Sequence, residues 1–263
     1  MRTLQLTVEY DGTDFQGFQR LSAGRTVQGT LEAAWREVTG EAARTTGAGR
    51  TDAGVHALRQ VVSLRTEAGL PLANTARALN GRLPPDLRVR AACERDETFH
   101  ARFSATERTY RYMIRRAGKP SVFQDRFSLL VREPLEIAAM RQAAERLLGS
   151  HDFRSFGSPE PGRTSVREMR RIAVREAGAW LVISLTANAF LRGMARCLVA
   201  QLLAAGRGAL SPDAVQDRLR AQDRSTAGKS APPQGLYLAR VRYGGENERA
   251  MGRDAAILPG VDI

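Results

Sequence analysis

Two cysteines, three histidines and two lysines are all that 263 residues carry of those types, and each scarcity narrows the chemistry. Cys93 and Cys197 stand alone, with no Cys-x-x-Cys spacing, as suits free thiols in a reducing compartment. His56, His100 and His151 are scattered, with no pair at metal-ligand spacing, so no metal is expected. No hydrophobic run is long enough to cross a bilayer; the longest, from Ala179 to Leu191, is broken by Ser184, Thr186 and Asn188. The N-terminus also lacks the apolar core of a signal peptide. Leu4, Leu6, Val8 and Tyr10 alternate with polar residues there, the pattern of a half-buried strand. The expectation is a cytoplasmic protein with no membrane partner.

Positive charge is what the chain has in excess. Its 40 basic residues stand against 28 acidic ones, giving a formal net charge of +12 and a pI near 10.9. Only Lys119 and Lys229 are lysines, so the remaining 38 basic residues are arginines. The excess calls for a polyanionic partner, and arginine suits bidentate contacts to phosphate and stacking on bases. A membrane surface is the rival polyanion, but no helix with one strongly basic face stands out.

Periodicity and punctuation give the elements. The first half reads as a strand over Leu4–Tyr10, a glycine-rich loop, and a helix opening at the N-cap Thr26 and stopping at Gly40. A strand over Gln60–Arg65, a helix over Leu72–Asn80 and a strand with Leu87, Val89, Ala91 and Cys93 facing one way follow. The second half reads as a strand over Tyr110–Arg115, a helix over Pro134–Leu148, and a hairpin over Met169–Ala187 turning near Gly178. Next come a helix over Phe190–Ala205, apolar nearly all round and therefore buried, a helix from Ser211-Pro212, and a last strand over Leu236–Tyr243. Helices mixed with hairpin-joined strands predict an α+β fold of two α/β modules with mainly antiparallel sheets, not a doubly wound parallel sheet. The expected modules span 1–104 and 105–244, with a loose tail over 245–263.

Two phosphate-loop signatures nearly match and fail. After Gly47 and Gly49 the dinucleotide fingerprint needs a third glycine where Asp52 stands. Gly49 and Gly54 have the spacing of a nucleotide-triphosphate loop, but Val55-His56 follows where Lys-Ser or Lys-Thr is required. Gly228-Lys229-Ser230 has the right ending, but Asp223 replaces its partner glycine. A paired-carboxylate hydrolase using Asp52 with Asp11 or Asp14 is another reading, although Asp and Gly in "YDGTDFQG" (10–17) also suit a turn.

Several blocks occur together in a defined order: "YDGTDFQGFQ" (10–19), "TVQGTLE" (26–32), "GAGRTDAGVHA" (47–57), "FHARFSA" (99–105), "RTYRY" (108–112), "NAFLRGMAR" (188–196) and "GLYL" (235–238). In content and order the chain resembles the tRNA pseudouridine synthase A family. That resemblance implies the pseudouridine synthase fold around a basic RNA-binding cleft, with the sheets of the two modules running together. It implies isomerisation of uridine to pseudouridine in the anticodon stem-loop of tRNA, at tRNA positions 38 to 40, without a cofactor and as a homodimer.

The resemblance also implies roles for single residues. Asp52 falls on the required aspartate, which would attack the sugar or the uracil ring or remove a ribose proton; the residues leave these three open. Arg196 falls on the basic residue that pairs with that aspartate, and Tyr110 on the tyrosine that packs on the target uracil. Arg50 falls on the arginine that holds RNA where the nucleotide has turned out of its stack. Arg102 and His56 would support the site or touch phosphate, and Leu236 and Leu238 would wall the uracil. Two other readings stay open: a noncatalytic RNA-binding protein, which would not need Asp52, and a base-excising glycosidase.

Overall fold

Caps and turns set the helices where local chemistry calls for them. Thr26 is the N-cap of α1 (Val27–Thr39), its hydroxyl accepting from Gly29 N at 3.2 Å, and Gly40 ends that helix in the left-handed conformation. In a computed structural model, which describes residues 1–244, the chain divides into two units: Met1–Thr106 together with 238–244, and Glu107–Tyr237. The expected tail over 245–263 lies outside the described residues.

The first unit holds β1 (Arg2–Tyr10), α1, β2 (Thr45–Gly47), β3 (His56–Thr66), α2 (Leu72–Asn80) and β4 (Leu87–Arg95). The chain continues through β5 (Ala105–Arg115), β6 (Leu129–Leu130), α3 (Ile137–Glu145), β7 (Gly149–Asp152), β8 (Val166–Ala177) and β9 (Trp180–Ala187). Then come α4 (Met194–Gly206), α5 (Pro212–Ala221) and β10 (Leu236–Tyr243). β10 starts in the second unit and crosses into the first at Leu238, where it pairs with β3. The expected modules are corrected accordingly: the first boundary falls after Thr106, and 238–244 belongs with the first unit.

In the first unit the strands run β4-β1-β3-β10, with β2 beside β3; β1, β2 and β4 are antiparallel to their neighbours. β1 is buried on both faces, not half-buried. Leu4, Leu6 and Val8 are sealed, and so are Thr3, Gln5 and Thr7 on the opposite side. The segment "FHARFSA" closes over that polar side: Ala101 N donates to Ser63 Oγ at 3.1 Å, and Ser63 is paired with Gln5. Within β4 the single-faced expectation also fails. The register with β1 slips between Thr7 and Val8, so Arg90 is bulged and Ala91 is exposed while Leu87 and Val89 stay buried.

In the second unit β5, β9, β8 and β7 form an antiparallel run, and the short β6 lies parallel to β5. The β8–β9 hairpin turns at Gly178, which has positive φ as the tight connection requires. α3 packs on α4 and α5, and nearly all of α4 is buried, as its composition predicts. Both helices start later than their apolar pattern suggests. Glu136 caps α3, and Gly193, at φ +76, stops the extended Phe190–Arg192 segment just before α4. Arg192 bridges instead to Ser158. Among the described residues no helix is long and apolar enough to cross a membrane.

Candidate active site

The turn carrying Asp52 lies between β2 and β3, and its backbone is held almost atom by atom. Ala48 N donates to Val61 O at 2.8 Å. The fully buried Gln60 reaches back from β3: its Nε2 donates to Gly49 O at 2.6 Å, and its Oε1 lies 3.4 Å from Gly49 N. Thr51 hydrogen-bonds through its hydroxyl to Tyr10 OH at 2.8 Å and through its carbonyl to Phe18 N at 3.0 Å. The turn closes where Val55 N donates to Asp52 O at 3.1 Å. Burial pushes the Tyr10 phenol up to about 12, so it stays a neutral hydrogen-bonding post.

This fit explains the glycines of two sequence blocks. A Cβ on Gly12 would sit 2.0 Å from Val55 O, and one on Gly17 would sit 2.8 Å from Thr51 O, with φ at +93°. The 10–19 segment and the 47–57 segment therefore lie backbone against backbone. The outcome is a half-buried carboxylate on a braced turn, between the exposed Ala53 and, two residues before it, the exposed Arg50.

His56 begins β3 and is 1% exposed. Its Nδ1 accepts from Gly12 N at 3.0 Å and lies 3.2 Å from Asp11 Oδ1. It braces the junction of the two segments, which fits the supporting role among its two expected ones better than contact with phosphate. The Asp11 carboxylate in turn accepts from Thr13 N at 3.0 Å and Thr13 Oγ1 at 2.6 Å. That is the turn role, not the paired-carboxylate role.

Beside the turn the first unit opens a groove of about 680 Å³, and Arg50 and Arg102 come together on its lining with Arg20 and Arg44. His100 and Phe103 also line it, their rings stacked at 4.4 Å with 27° between planes. Neither ring was singled out from the sequence. The signal was there in "FHARF", where aromatic and basic residues interleave as they do in nucleic-acid-binding segments.

The other expected residues belong to β10 and the second unit. Tyr110, nearly buried in β5 opposite Leu185, meets Phe190 edge-on at 4.8 Å. Tyr112 donates its hydroxyl to Pro232 O at 2.8 Å, and burial raises its pKa above the usual phenolic value; it is a core tyrosine. Arg196 sits in the first turn of α4. Its Nε donates to Ala231 O at 2.7 Å while Ala231 N donates to Arg196 O at 3.1 Å, which fixes the guanidinium plane. Leu236 is 4% exposed and Leu238 is 0% exposed, in the first unit. Both side chains are buried, Leu238 completely.

A carboxylate on a rigid turn can act as a nucleophile or a base, and the neighbouring guanidinium groups favour a polyanionic substrate. The sequence matches the tRNA pseudouridine synthase family model over residues 6–104 and 143–244. The tRNA pseudouridine synthase A of Roseiflexus sp. (strain RS-1) is 42% identical over 261 residues, covering 97% of this chain and 96% of its own. That of Roseiflexus castenholzii is 45% identical over 248 residues, covering 92% and 91%. The enzyme of the same name from Syntrophomonas wolfei is 41% identical, covering 92% and 98%. A solved H/ACA RNP bound to a substrate RNA containing 2'-deoxyuridine is 12% identical over 76% of this chain and 44% of its own, with a TM-score of 0.36, too slight a likeness to support an inference. On the family match and these identities, the chain belongs to the tRNA pseudouridine synthase family.

Proposed function

We propose that this chain isomerises uridine to pseudouridine in the anticodon stem-loop of tRNA, with Asp52 as the catalytic carboxylate. The bond from uracil N1 to ribose C1′ breaks, a bond from C5 to C1′ forms, C5 loses its proton and N1 gains one. The observation that carries the proposal is the braced turn at Asp52. Its carbonyl, its neighbours' backbone and two facing glycines are all committed to holding one carboxylate in place.

Arg50, exposed on the same turn, suits the task of holding RNA around an extruded nucleotide. Arg196 and Tyr110 serve the same reaction in the roles that the family resemblance implies, as partner of the carboxylate and as packing surface for uracil. The working form is a cytoplasmic homodimer on tRNA.

Asp52→Asn changes one oxygen to nitrogen and keeps the shape. It is expected to abolish tritium release from 5-labelled uridine in tRNA while leaving tRNA affinity within a few-fold of the original. Turnover retained in that variant overturns the assignment. Accumulation of free uracil with the unaltered chain points to the glycosidase instead.

A further inference from the structure

Phe103 is 61% exposed, an unusual place for a large ring in a segment otherwise folded over the sheet. It is held there by design of the local chain. His100 N donates to Ser104 Oγ at 3.1 Å and Ser104 N to His100 O at 2.9 Å, which closes a tight turn. His100 Nδ1 lies 3.2 Å from both Arg102 N and Phe103 N and accepts from them. The imidazole is thereby pinned flat under the Phe103 ring. Burial, with Arg102 and Arg65 nearby, also lowers its pKa and keeps the ring neutral. Arg102 places its guanidinium 5.5 Å from the Phe103 ring centroid.

The groove around this stack is strongly cationic. The one acidic residue among the described residues of its lining, Glu32, is 8% exposed, and its carboxylate accepts from Thr45 N and Gln28 Nε2 and pairs with Arg20. Arg44, Arg50 and Arg102 line the same groove. An exposed, preorganised aromatic face ringed by guanidinium groups fits a planar group joined to phosphates. Arg50 lines this groove and Asp52 does not, so the base taken here differs from the one that reacts.

We propose that the His100–Phe103 stack is a docking platform for one unpaired nucleobase of the RNA, next to the reacting uridine, with Arg44, Arg50 and Arg102 taking its flanking phosphates. The platform rests on the function proposed above and adds a second base contact to it. Any base presents a π face, so the contact fixes the path of the strand with little regard to sequence.

The test uses Phe103→Leu and Phe103→Trp in the full chain, with tRNA affinity, tritium release and sedimentation measured together. Phe103→Leu keeps apolar bulk and removes the π face. It is expected to weaken tRNA binding about 5- to 150-fold while leaving the salt slope of binding unchanged, since no phosphate contact is lost. Phe103→Trp is expected to bind like the original, and its added emission, over that of Trp35 and Trp180, to be quenched by tRNA. Arg44→Ala is expected to lower the logarithmic salt slope by about 0.7–0.9. Undiminished affinity in Phe103→Leu, or tryptophan emission unmoved by saturating tRNA, overturns the platform while the original chain still releases tritium. A loss of affinity that follows only from a changed oligomeric state in sedimentation overturns it as well. No tritium release from the original chain defeats the function itself.

Discussion

Gly12 tolerates no side chain, because the atom a Cβ would strike is the carbonyl oxygen of Val55, and neither backbone can yield without moving the turn. Gly12→Ala is expected to destabilise the first unit by about 1–3 kcal/mol and to lower tritium release more than tRNA affinity. Denaturant midpoints and single-turnover rates on the same variant separate the two effects. At this scale the sequence was informative in one respect and silent in another. The blocks and their order, through the family they resemble, pointed to Asp52 and Arg50. Burial leaves no mark on a lone letter, so whether His56 supports the site or touches phosphate stayed open until its 1% exposure and its bond to Gly12 N were seen. For the same reason the exposure of Phe103 went unread.

Among the elements, those set by local chemistry were legible and those set by neighbours were not. α2 and β10 occupy the expected spans, and α1 starts and ends at its expected caps, because helix periodicity, a Thr hydroxyl and a left-handed glycine act within a few residues. β2 and β7 are three and four residues long and carry too few positions to show a period. The double burial of β1 and the bulge in β4 arise from pairing partners far along the chain. One contact between elements is open to titration. Glu41, just past α1, accepts from the Thr66 hydroxyl at the end of β3 and from Glu67 N and Ala68 N at 3.3 and 3.1 Å. The Thr66 hydrogen bond leads in holding its pKa below the usual carboxylate value of 4.5. The unfolded chain then binds the proton first, so this contact stabilises above that value and is lost as pH falls through the lower folded one. The stability difference between the original chain and Glu41→Gln is expected to be present above the ordinary value of 4.5 and to shrink as pH falls below it, as followed by urea midpoints.

For the molecule as a whole, the net charge of +12 predicts electrostatic recruitment of tRNA. Three arginines of the groove, each neutralising one phosphate, account for a logarithmic salt slope of about 2 by themselves. Titration of tRNA affinity across salt is expected to give at least that slope, and a flat response refutes the basic surface as the binding face. The route of the chain has a separate consequence. β3 borders the turn of Asp52 on one side and accepts β10 along its edge, yet β10 ends at residue 243. During synthesis the strands of the first unit therefore emerge with an open margin along β3, which stays unpaired until β10 has been made. The sheet that borders the Asp52 turn is thus closed by a strand that leaves the ribosome long after the turn itself.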